Sequence, residues 1–121
     1  MNLKTENTIL LVGNDTTLSY LLGRFAERSG YLLAVNSALS SIREILTVNP
    51  AVIIFPSTEL LEEAQALVTE LVGLEAPIVV CSSVAEETRA RELGADFCLL
   101  HPITYNDFQE ALAIVTATKR T

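Results

Sequence analysis

A carboxylate, several hydroxyls and an imidazole stand where short apolar runs of this chain end, and these are the side chains through which it could do chemistry. The places are Gly13, Asn14 and Asp15; Pro56, Ser57 and Thr58; Ser82 and Ser83; and His101 with Pro102. Asp15 could ligate a cation, Ser82 and Ser83 could hold an anion, and His101 could accept a proton or a phosphoryl group. Each also has a plainer reading. Asp15 precedes Leu18 as a helix N-cap should, the sequence sets no carboxylate or nucleophile beside His101, and no Lys or Arg accompanies the serines. The thiols of Cys81 and Cys98 stand singly inside apolar runs, without the paired spacing of a zinc site. Both are expected to be buried and reduced, and Cys81 to be inert because burial disfavours its thiolate. Asp15 is therefore read as a cap and only a weak candidate for a metal, His101 as structural, and no residue as catalytic.

Bringing these places together requires strands that end at one edge. Five short runs qualify: Thr8 to Gly13, Tyr31 to Val35, Ala51 to Phe55, Pro77 to Ser82 and Phe97 to Leu100. The first, third and fourth are continuously apolar, as strands covered on both faces of a parallel sheet are. Between them the apolar spacing turns helical. Leu18, Leu21, Leu22, Phe25 and Ala26 form one stripe, with Asp15 or Thr16 to cap it and Gly30 to stop it. Ile42, Ile45 and Leu46 form a second, capped by Ser40 or Ser41 and ended by Asn49 and Pro50. A third, wide face runs from Leu60 to Val72 after Ser57 and Thr58, with Gly73 and Pro77 marking its exit. The fourth helix, Ala85 to Leu93, is poor in large apolar residues and offers Glu87 and Arg91 as an i,i+4 pair, so it should lie shallowly on the sheet. The last begins at Thr104 or Tyr105, carries Phe108, Ala111, Leu112 and Val115, and runs to about Thr118. Such alternation predicts an α/β fold with right-handed crossovers and a doubly wound parallel sheet, whose ligands bind at the carboxyl ends of its strands.

Composition narrows the function classes. The chain has 121 residues, the length of one domain, and residues 1–121 are read as a single unit with a core from about 8 to 118. Half of it is apolar and its mean hydropathy is +0.38, which excludes disorder as the main state. The apolar runs are far shorter than the ~20 residues of a membrane span. Lys4 and Glu6 precede the first strand without a signal-peptide pattern, so the expected address is cytoplasmic. Eight basic against fifteen acidic residues give a net charge of −7, a sign that disfavours direct binding to nucleic acid.

With these elements in order, the chain resembles the receiver domain of bacterial two-component response regulators. The segments that carry the likeness are ILLVGND (Ile9 to Asp15), ERSGYLLAV (Glu27 to Val35), NPAVIIFP (Asn49 to Pro56), PIVVCSS (Pro77 to Ser83) and ELGADFCLLHPIT (Glu92 to Thr104). The resemblance implies a flavodoxin-like (βα)5 fold with strand order 2-1-3-4-5. It further implies an acidic pair after the first strand that holds Mg²⁺, an Asp after the third that accepts a phosphoryl group, a hydroxyl after the fourth, and a Lys before Pro after the fifth. In this chain those positions fall on Gly13 and Asn14, on Pro56, on Ser82 and on His101. Only Ser82 keeps its chemistry. Proline has no nucleophilic oxygen, Gly13 and Asn14 carry no charge, and histidine exchanges a permanent cation for a ring that is ordinarily mostly neutral at physiological pH.

The resemblance therefore implies a pseudo-receiver: a non-enzymatic signalling module without the usual aspartyl phosphorylation, without a cofactor and with Mg²⁺ binding unexpected. Its expected partners are a histidine kinase, another regulator, an output protein or a second copy. The expected partner surface is the fourth helix, the last strand and the last helix, with Glu86, Glu87, Arg89, Arg91, Cys98 and Tyr105 as its residues. Two alternatives remain at this level: a phosphorelay receiver whose acceptor is Asp15, Ser82 or His101, and a domain that binds a small ligand at the strand ends.

Overall fold

Strands without polar alternation need a helix layer on each face, and the molecule supplies both. The computed structural model describes residues 7–36 and 42–119. Its elements run β1 (Thr8–Val12), α1 (Thr16–Arg28), β2 (Leu32–Asn36), α2 (Ile42–Val48), β3 (Val52–Phe55), α3 (Thr58–Glu63), α4 (Gln65–Gly73), β4 (Ile78–Ser82), a 3-10 turn (Val84–Glu86), α5 (Glu87–Glu92), β5 (Phe97–Leu100) and α6 (Tyr105–Lys119). The strands form one parallel sheet in the order β2-β1-β3-β4-β5. Ile9, Leu11, Ile54, Val79, Cys81 and Leu99 pack beneath α1 and α6 with Leu22, Phe108 and Val115. Leu10, Val12, Ile53, Phe55, Ile78, Val80 and Cys98 point the other way, against Ile45, Leu61, Val68, Leu71 and Ala90 of α2 to α5. Both sets are buried, which accounts for the continuously apolar runs.

Local signals behave largely as their chemistry requires. Asp15 caps α1, and Gly30 takes the left-handed conformation (φ +82°) after it. Asn49, with φ +53°, ends α2, and Thr104 caps α6 by accepting the Asp107 N–H at 3.1 Å. The Ser40 or Ser41 cap lies outside the described residues. Tyr31 falls just before β2, whose register on β1 begins at Leu32.

Two helices depart from expectation. The third breaks in two at Ala64 (φ −102°, ψ 26°), where the Gln65 side-chain amide donates to the carbonyls of Leu61 (3.0 Å) and Leu93 (2.9 Å). A polar side chain that bonds its own helix and a neighbouring loop competes with the regular ladder, and the wide apolar face continues past the break. The fourth starts as a 3-10 turn and leaves a six-residue α5 with Ala90 as its buried residue.

Candidate functional site at the strand ends

Gly13 leaves β1 with φ +98° and donates its N–H to the Asn36 carbonyl at 2.8 Å. A Cβ here would stand 3.2 Å from Leu60 Cδ2 and 3.4 Å from Pro56 Cγ, so the Pro56 ring and Leu60 fill the space beside it. Asn14 and Asp15 are exposed. Asp15 Oδ1 accepts the Leu18 N–H and its carbonyl accepts the Ser19 N–H, both at 2.9 Å. The carboxylate thus spends one oxygen on the helix it starts.

After β3, Ser57 caps α3 by accepting the Leu60 N–H at 3.1 Å. Thr58 follows, and its Oγ1 lies 2.8 Å from Ser82 Oγ at the end of β4, with both residues 4% exposed. The hydroxyls satisfy one another inside the protein. His101 is exposed, donates its backbone N–H to the Ser82 carbonyl at 3.1 Å, and precedes Pro102 through a cis peptide. Burial, reinforced by the negative charge of Asp15, pushes the Cys81 thiol up to about 12. Among the described residues no group of three or more His, Cys, Asp and Glu side chains is placed to hold a metal. The fold thus brings Gly13 against Pro56 and Ser82 against Thr58, while Asp15 and His101 remain outward. Thr58 was legible in the sequence as a strand-end residue and a helix start, but its pairing with Ser82 was not, because nothing in the linear order joins it to a serine on another strand.

The residues expected at a partner surface separate into four places. Glu87 and Arg91 pair at 3.3 Å on α5, and Arg91 also donates to the Asp96 carbonyl at 3.2 Å. With Cys98 they border a groove of about 240 Å³ that Phe97, Leu100, Asp107 and Glu110 complete. Burial raises the Cys98 pKa, with Arg91 opposing and Glu87 adding to the rise. Arg89 is instead paired with Glu62 of α3, and Glu86 is exposed in the 3-10 turn. Tyr105 does not line the groove. Its ring stacks under the Arg28 guanidinium at 3.9 Å and meets Phe25 at 5.5 Å, and its hydroxyl accepts from Ser29 Oγ at 3.3 Å, which places it in the seam between α1 and α6. Asp107 and Glu110 are groove residues that sequence reasoning missed; their only signal is an i,i+3 acidic pair on the last helix.

No family model matches the sequence, and no curated protein does. Among solved structures, NtrX from Brucella abortus, crystallised with ADP, superposes with a TM-score of 0.74 at 17% identity, over 93% of this chain and 26% of its own. A response regulator of Chloroflexus aurantiacus gives 0.71 at 17% identity over 92% of this chain and 98% of its own, and chemotaxis protein CheY4 of Vibrio cholerae 0.71 at 15% over 89% and 97%. The fold is that of a response-regulator receiver domain. The chain spans about a quarter of NtrX and nearly all of the other two. The strand order 2-1-3-4-5, expected from the resemblance, is the one these receiver structures share. Among the described residues no helix is long and apolar enough to cross a membrane.

Proposed function

We propose that this chain is a receiver-like signalling module that acts through protein–protein contact at the α5–β5–α6 face, without phosphorylation of an aspartate. The reading makes it a non-enzyme that needs neither cofactor nor Mg²⁺, with a histidine kinase, another regulator, an output protein or a second copy as partner. One observation carries it: Pro56 stands where the resemblance calls for the phosphoacceptor, and its ring packs against Gly13 where the acidic pair would begin. Aspartyl phosphorylation requires a carboxylate nucleophile and a cation that neutralises the incoming oxygens. Carbon fills that corner instead. The remaining hydroxyl, Ser82, is bonded to Thr58, and the remaining carboxylate, Asp15, is a helix cap. Together they support a pocket turned over to packing.

The test is incubation with acetyl phosphate and Mg²⁺ followed by intact-mass analysis. The expected result is no added phosphoryl mass. Addition that maps to Asp15, Ser82 or His101 would establish an unconventional acceptor and overturn the proposal.

A further inference from the structure

β5 is an end strand of the sheet, and no other strand among the described residues pairs with its outer edge. Side chains from both of its faces, Phe97 from one and Cys98 and Leu100 from the other, reach one groove between α5 and α6. The floor of the groove is therefore apolar.

Its rim is acidic. Glu87, Asp107 and Glu110 bring three carboxylates against the single guanidinium of Arg91, a local balance of −2 (one positive, three negative). Arg91 is already engaged by Glu87 and by the Asp96 carbonyl. Asp107 and Glu110 are exposed and form no ion pair with a described residue.

Charge and size select the occupant. At about 240 Å³ the groove is smaller than the ~300–1,000 Å³ usual for small-molecule sites, and suits an anchoring side chain. A second copy docked by a twofold axis would bring the acidic rims together, and like charges across an interface are costly. Acidic polypeptides and nucleic acids are repelled for the same reason, and the chain's net charge of −7 adds to the repulsion. We infer that the α5–β5–α6 groove receives a basic segment of a protein partner, with an apolar side chain seated on Phe97 and Leu100 and flanking cations held by Asp107 and Glu110. The inference rests on the docking face proposed above and adds the chemistry of the partner to it.

Two short synthetic peptides with the same apolar centre test it, one flanked by Lys and Arg and the other by Glu and Asp, each titrated into the isotope-labelled full chain and followed by amide chemical shifts. The basic peptide is expected to move the amides of Phe97 to Leu100 and Asp107 to Glu110. Its affinity should fall about fivefold in the Asp107→Asn/Glu110→Gln double variant, as the loss of two exposed ion pairs implies, and should fall again as salt screens the rim. A thermal melt verifies that the variant is folded. Equal or stronger shifts of the same amides by the acidic peptide would overturn the inference about the partner while leaving docking at this face intact. Basic-peptide shifts confined to the strand ends, or none at the groove, would overturn the inference; the strand-end pattern would also refute the proposed docking face.

Discussion

Ser82 falls where the receiver resemblance implies a hydroxyl directed at a phosphoryl group, so whether that hydroxyl is free or structural can be measured. Its Oγ lies 2.8 Å from Thr58 Oγ1, and both residues are 4% exposed. Thr58→Val keeps the side-chain shape and leaves the Ser82 hydroxyl buried beside a methyl group. Leaving one buried polar group unmatched costs about 1–3 kcal/mol. Ser82→Ala strands the Thr58 hydroxyl in the same way and at a similar cost, whereas the double variant removes both polar groups and leaves neither unsatisfied. The double variant should therefore be less destabilised than the sum of the single ones, by a coupling of about 1–2 kcal/mol. At this chain length 1 kcal/mol moves the melting midpoint by roughly 3–6 °C, well within reach of measurement. Urea unfolding of the four proteins, followed by far-UV circular dichroism with the denaturant slopes compared, reads the cycle directly. Strict additivity, with coupling below about 0.3 kcal/mol, would refute the reasoning and return Ser82 to the set of groups available to a ligand.

Two further outcomes follow from the same corner of the molecule. Gly13→Ala should destabilise by about 1–2 kcal/mol, because L-residues resist the left-handed region and the new Cβ meets Leu60 and Pro56; adding Pro56→Ala should recover only a small part, and an unchanged urea midpoint would refute the account. For Cys81 the folded thiol is pushed up to about 12 from an ordinary 9.0, so the folded state disfavours the thiolate. The stability tied to the neutral thiol is complete below pH 9.0 and is lost as the pH rises toward 12, with a slope approaching ~1.4 kcal/mol per pH unit. Cys81→Ala should flatten urea-measured stability across that window relative to the unmodified chain, and parallel curves would show that Cys81 does not contribute.

The strands were legible because their signal is local and strong. A run such as Val52–Phe55 contains no polar residue, and only a strand covered on both faces buries it completely. The Asp15 cap was legible for the same reason: it acts on an N–H group three residues ahead. The break at Ala64 was hidden, since it depends on Gln65 reaching the Leu93 carbonyl, 28 residues away in sequence. Tyr105 stands in the chain beside groove residues, yet its ring turns to Arg28 and Phe25 because α6 packs on α1 as well as on the sheet. Helical phase sets which side of α6 a residue takes, and only the neighbouring helix decides what it meets there.

Sequence alone was enough to establish the alternating α/β order and the apolar stripes of its helices, because periodicity and residue chemistry act over a few neighbours, while the receiver resemblance added the expectation that Pro56 falls at an acceptor position. The contacts at the strand ends and beside β5 were decided by tertiary structure: the Pro56 ring and Leu60 against Gly13, Thr58 against Ser82 across 24 residues, and three acidic side chains from α5 and α6 gathered around one groove. Such pairings join segments distant in the chain, and their distances are set by the packing of helices on a sheet.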